Sequence, residues 1–91
     1  MLALRWKPAA QDDLAEIIAY IESHNAKAAY ALYDSIVHSV ERLPDMPYLF
    51  RPGRVAGTRE YVVHPNYIVV YRVGVEAIEI LRVLHSRERY P

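Results

Sequence analysis

Apolar residues recur along this chain with two different periods, and the change of period divides it into helices followed by strands. Leu2 to Trp6 (LALRW) is short, apolar and partly alternating, which predicts a strand. Ala10, Leu14, Ile17, Ile18 and Ile21 then recur at three- and four-residue steps, the stripe of an amphipathic helix. Pro8 suits its first turn, where a missing N–H costs nothing. Asp12, Asp13 and Glu16 place acid toward the positive end of its dipole, and Asn25 is expected to stop it in the left-handed conformation. Ala29, Leu32, Tyr33, Ile36, Val37, Val40 and Leu43 keep the helical spacing again until Pro44. The short junction at residues 24–27 makes the two helices an antiparallel hairpin.

Residues 44–57 (PDMPYLFRPGRVAG) hold three prolines and two glycines and read as an irregular connector. Beyond it the period falls to two. Thr58–Val63, Tyr67–Val73 and Ala77–Leu84 are rich in Val, Ile and Tyr and predict three strands. Turns at His64-Pro65-Asn66 and Gly74-Val75 join them into an antiparallel meander. With Val73 opposite Glu76, Tyr67, Val69, Tyr71, Ile78, Ile80, Arg82 and Leu84 share one face. Ile68, Val70, Arg72, Glu79, Leu81, Val83 and His85 then share the other, and a slip of one residue would exchange the lists. A helix hairpin covers only one face of a sheet. The second face is therefore expected to stay open as a partner surface, with Ile68, Arg72 and Leu81 as contact residues.

The whole is an α+β domain of two layers spanning residues 1–91, with helix hairpin on sheet in the order β-α-α-β-β-β. Its apolar content of 53% argues against disorder, and its length leaves no room for a second domain. The absence of cysteine excludes disulfides, a thiolate nucleophile and zinc–sulfur sites. A cytoplasmic location is expected from the lack of disulfides, of a signal-like N-terminus and of any membrane-length apolar run.

Net charge is zero, but the two parts of the chain differ. Residues 1–50 carry four Lys/Arg against seven acids, −3, and residues 51–91 carry seven Arg against four acids, +3. Arginine grips planar anions with a fixed fork of donors, so the second part points to an anionic partner. Its tail is the densest cluster: Arg82, His85, Arg87, Arg89 and Tyr90 fall within nine positions. The chain contains no Walker loop, dinucleotide glycine pattern, serine elbow or HExxH motif. The four histidines lack metal-ligand spacing, so neither a metal nor a cofactor is expected. His24 and His38 read as helix-surface residues, His64 as a turn residue, and Tyr67 and Tyr71 as ring packing. A Tyr/Arg/His set is a workable toolkit for cleaving RNA, since His or Tyr moves protons and Arg neutralises charge on the phosphorane. In RPGRVAGTRE, Arg51 and Arg54 are candidate phosphate-gripping residues, as is Arg89 in the tail.

The opening RWKPAAQDDLAEIIAYI, the central RPGRVAGTRE and the closing YIVVYRV…IEILRVLHSRERYP together resemble the RelE/ParE superfamily of type II toxin–antitoxin toxins. They are most similar to its RelE/StbE, or plasmid-stabilisation, branch. The resemblance covers the full chain. It implies the β-α-α-β-β-β fold with the hairpin on one face of an antiparallel sheet. It also implies a cognate antitoxin held in a hetero-oligomer, with no membrane partner. RelE-like members cut mRNA on the ribosome, and carried over by position Arg59, His85, Arg87 and Tyr90 stand for the nuclease set. The resulting expectation is a metal-independent endoribonuclease (mRNA interferase). ParE-like inhibition of DNA gyrase is the alternative, as is a non-catalytic module that binds only antitoxin. Ile68, where the basic RelE pattern has Arg, together with Val62, Val63 and the neutral total charge, favours gyrase.

Overall fold

The computed structural model describes residues 2–91. It contains strand β1 (Ala3–Trp6), helices α1 (Pro8–Glu22) and α2 (Ala26–Glu41), and strands β2 (Arg51–Pro52), β3 (Arg59–His64), β4 (Tyr67–Val73) and β5 (Ala77–His85). Both helices pack on one face of a single sheet whose strand order is β1-β5-β4-β3-β2. Three pairings are antiparallel, but β1 runs parallel to β5, from Ala3 opposite Ala77 to Trp6 opposite Ile80. The sheet is therefore mixed, because the helix hairpin returns the chain to the far side and only the last strand reaches back to β1. The connector also contributes the short edge strand β2, which neither its prolines nor its glycines advertise.

Helix α1 begins at Pro8, so Asp12 and Asp13 lie beyond its first turn and add little to the dipole. The expected role of Asn25 is corrected as well. It has φ −159° and is the N-cap of α2, its side-chain oxygen accepting from the Ala28 N–H at 3.0 Å. The junction is so short that one residue serves the second helix, and α1 ends right-handed at Ser23. Helix α2 stops at Glu41, and a 3₁₀ turn at Leu43–Asp45 follows with Pro44 in its first positions.

Ala10, Leu14, Leu32, Ile36 and Val40 of the helices and Leu43 of the turn bury themselves against Val69, Tyr71, Ile78, Ile80 and Val83 of the sheet. Tyr71 is fully buried, and its hydroxyl donates to the Pro47 carbonyl at 2.7 Å, which ties the connector to the core. Two glycines shape that connector. Gly57 has φ +82°, and a Cβ on Gly53 would come within 2.2 Å of Thr58 Oγ1.

The register of β4 and β5 differs from the expected one in an informative way. Val73 pairs with Ile78, through a wider turn closed by the Gly74 N–H on the Ala77 carbonyl at 2.8 Å. Tyr71 pairs with Ile80 and Val70 with Arg82, so Leu81 is an unpaired bulge residue. Up to Ile80 the faces are as expected. Past the bulge they exchange: Val83 and His85 join Tyr67 and Val69 on the helix side, while Arg82 and Leu84 join Ile68 and Val70 on the other.

The second face is not left open. Ile68, Val70 and Leu84 are buried beneath Leu81 and Tyr90, because the C-terminal tail folds back over them. Ile68 is 1% exposed and therefore presents almost no surface to a partner, which corrects its expected role as a contact residue. Ile68→Asp is accordingly expected to destabilise the domain by about 3 kcal/mol or more, as an unpaired charge in an apolar site. Urea denaturation would measure it, and a folded variant of unchanged midpoint would contradict this packing. Burial raises the Tyr71 pKa above 10.0, with Arg59 opposing more weakly. The folded chain then holds the phenolic proton more tightly than the unfolded one, so stability falls as pH climbs through and above 10.0. Tyr71→Phe should flatten that fall and remove about 1 kcal/mol at neutral pH, read from urea melts across pH.

Candidate functional site

The alkaline C-terminal cluster of the sequence is divided by the sheet. His85 ends β5 on the helix side, its ring edge-on to Tyr67 at 5.6 Å between centroids. Its Nδ1 accepts the Arg87 backbone N–H at 3.2 Å. That bond occupies Nδ1 and leaves Nε2 as the ring nitrogen open to a partner. His64 flanks Tyr67 from the other side at 5.6 Å, and the Asn66 N–H bonds back to its Nδ1. Tyr90 lies on the opposite face. Its ring packs against the Ile68, Val70 and Leu84 cluster, and its hydroxyl is buried without a partner. Arg59 stands opposite Tyr71 on β3, four positions along β4 from the Tyr67–His85 pair, which is roughly 13 Å. Its guanidinium donates to the Phe50 carbonyl at 2.8 Å and the Tyr48 carbonyl at 3.2 Å, and stacks on the Tyr48 ring at 5.1 Å. Arg87 and Arg89 are exposed, and neither forms an ion pair among the described residues. The expected nuclease set of Arg59, His85, Arg87 and Tyr90 is thus spread over two faces and does not converge on one phosphate.

Other residues do come together. Arg51 and Arg54 share one carboxylate, that of Glu60, at 2.8 and 3.8 Å. Glu60 faces away from the helices and is 4% exposed, a buried acid that the sequence reading missed. An acid inside a strand with arginines on the segment before it was the available signal, but only the β2–β3 pairing brings them into contact. Arg72 grips Glu79 through two N–H groups, at 2.7 and 3.2 Å, which lowers the Glu79 pKa. Lys7 adds a longer contact to the same carboxylate, 3.7 Å. Leu81 is half-buried over the second face.

Asp13 is the second residue the sequence reading misplaced. Strand β1 ends opposite Ile80, so the outer edge of β5 is bare from there on. Asp13 reaches down from α1 and accepts the Val83 N–H at 2.9 Å, and Arg82 donates to both of its oxygens, at 2.7 and 3.0 Å. These bonds raise the Arg82 pKa and cap an edge that would otherwise pair with another strand. Beside them, Ile17, Tyr20, Tyr67, His85 and Glu88 line a cleft of about 370 Å³. Among the described residues no cluster of His, Asp or Glu is placed to hold a metal ion, and no helix is long and apolar enough to cross a membrane.

With this geometry in hand, comparison with known proteins gives a consistent result. The family described as "ParE toxin of type II toxin-antitoxin system, parDE" matches residues 4–90. The chain belongs to this family: it is a small toxin of the RelE/ParE superfamily, built on two helices and a five-stranded sheet, and the family implies an antitoxin partner. It is 38% identical over 89 residues to "Putative toxin Y4kP" of Sinorhizobium fredii, covering 97% of this chain and 92% of that protein. The toxin fold of a chromosomal ParDE system from P. aeruginosa superposes with a TM-score of 0.86 at 26% identity, over 93% of this chain and 96% of that one. YafQ from E. coli shares the fold alone, with a TM-score of 0.53 at 16% identity over 94% of each chain.

Asp13→Ala leaves the Val83 N–H and the Arg82 guanidinium without their acceptor. The expected loss is about 1–3 kcal/mol in urea denaturation, together with faster amide exchange at Val83. An unchanged midpoint and protected exchange would show that the strand edge holds without α1.

Proposed function

We propose that this chain is the growth-arresting half of a toxin–antitoxin pair and that it acts in the cytoplasm by binding DNA gyrase, rather than by cutting mRNA on the ribosome. One observation carries this reading. The two candidate proton-transfer groups, His85 and Tyr90, stand on opposite faces of the sheet, and the Tyr90 hydroxyl is buried. General acid–base catalysis needs both groups within hydrogen-bond reach of one reacting site. Arginine supply is also poor for RNA. Arg51 and Arg54 are engaged by Glu60 and Arg59 by backbone carbonyls, and the balanced net charge gives no long-range pull on a polyanion. A toxin that works by occupying a protein surface needs none of this. Free of antitoxin it would hold its target, and in the hetero-oligomer with antitoxin it would be silent.

Regulated expression of the chain alone should arrest growth, and co-expression of the neighbouring antitoxin gene should relieve the arrest. An early DNA-damage response with protein synthesis intact is the expected order of events. His85→Ala and Tyr90→Phe, which remove the proton-transfer groups with little change in packing, should leave toxicity within about threefold of the parent. A nuclease would instead lose roughly 10²–10⁴ in rate for either group. Early loss of translation with mRNA cut in the ribosomal A site would overturn the gyrase reading and restore the nuclease. Healthy growth with abundant folded protein would mark a module that only binds antitoxin.

A further inference from the structure

The cleft on the helix side has the opposite polarity to the arginine-bearing face of the sheet. One wall of its roughly 370 Å³ is α1, with Asp13, Glu16 and Tyr20, and the other holds Tyr67, Val83 and Glu88. Arg82 also borders it, but Asp13 already engages that guanidinium through both oxygens. Glu16 and Glu88 are exposed and form no ion pair among the described residues. Three carboxylates thus face one guanidinium, and negative charge is in surplus. The main chain adds to this. Val83 gives its N–H to Asp13 at 2.9 Å, and its carbonyl points to the same side of the strand, past the place where β1 has ended at Trp6. The His85 N–H is likewise engaged, by Glu88 Oε1 at 3.4 Å. The bare edge therefore turns an acceptor toward the cleft while its donors are occupied. Aromatic rings complete the walls. Tyr20 is 70% exposed and tilts against His24 at 5.1 Å, and Tyr67 is held between His64 and His85 at 5.6 Å from each.

We propose that this cleft takes an arginine or lysine side chain from a basic segment of the protein on which the toxin acts, so that the target is met from the helix side. A guanidinium or ammonium brings several donors and no acceptor. That is the complement of a cleft whose open polar groups are carboxylates and a strand carbonyl. Tyrosine rings attract a cation through their faces, and Ile17 and Val83 give its aliphatic stem an apolar surface to lie on. The balance of −3 over residues 1–50 draws a basic surface toward this side before contact is made. An acidic segment or a nucleic-acid strand would meet like charge here. The inference rests on the reading that the toxin works by occupying a protein surface, and it names the side chain that surface must offer.

The test titrates the full ¹⁵N-labelled chain with an acetylated hexapeptide of alternating alanine and arginine, and with its glutamate-for-arginine twin. Saturable shifts are expected at the amides of Ile17, Tyr20, Val83 and His85 with the arginine peptide alone. Glu16→Gln and Tyr20→Leu, both at exposed positions of α1, should each weaken binding about threefold while the rest of the spectrum is unchanged. In cells, Glu16→Lys combined with Tyr20→Leu should lose growth arrest while the protein still co-purifies with its antitoxin. Equal response to the glutamate twin, shifts centred away from the cleft, or unchanged affinity in both single variants would overturn the proposal. So would a concentration-dependent dimer in sedimentation that Glu16→Lys abolishes, since a second copy would then be the occupant. Arrest retained by the double variant, with the DNA-damage response intact, would overturn the proposal and leave the gyrase reading standing. Early loss of translation in the parent would instead overturn the gyrase reading, and the titration would still decide whether the cleft takes a cationic side chain.

Discussion

One extra residue in the last strand decides what each face of this sheet is made of. Leu81 has no partner on β4, so the side-chain alternation of β5 reverses there relative to its neighbour. Before the bulge, Ile78 and Ile80 feed the helix-side core. After it, Val83 does so, and Leu84 is turned away to build a second apolar cluster with Ile68 and Val70. Without the bulge, Arg82 and Leu84 would point at the helices, and a guanidinium would be driven toward the core. The bulge instead leaves Arg82 at the outer edge, where Asp13 receives it.

The same reversal separates the tail's chemistry. His85 is carried to the helix side beside Tyr67, while the chain beyond it turns back across the other face and sets Tyr90 on Ile68 and Val70. A cluster that is compact in sequence is thereby split by the thickness of a sheet. Charge is handled in the same economical fashion. Most arginines of the C-terminal part are engaged: two by Glu60, one each by Glu79 and Asp13, and Arg59 by main-chain carbonyls. The +3 of that half is thus less available than its count implies.

Much of the fold was legible because periodicity is a local property. The stripe Ala10, Leu14, Ile17, Ile18 and the stripe Leu32, Ile36, Val40 define helix faces whatever lies opposite them. Tyr71, expected in the core, is there. What escaped were features set between distant segments. The parallel pairing of β1 with β5, the bulge at Leu81 and the cover supplied by Tyr90 each join residues far apart in sequence, and no spacing rule encodes them. Glu60 and Asp13 escaped for the same reason, since an acid declares its partner only when a strand or helix brings it near. Asn25 is a different case. Asparagine ends one helix or begins the next with similar ease, and a junction this short left the choice to the extended backbone at that position.

The parallel pair at the sheet's far edge has a consequence for how the protein comes into being. Ala3–Trp6 is the first strand made, and Ala77–His85, its only neighbour in the sheet, is the last. During synthesis the helix hairpin can form early from local contacts, but it waits without the strand that most of its apolar surface faces. Such long-range closure is slow compared with helix formation. The domain therefore gains its β1–β5 pairing and its second-face cluster only once β5 and the residues just after it have been made.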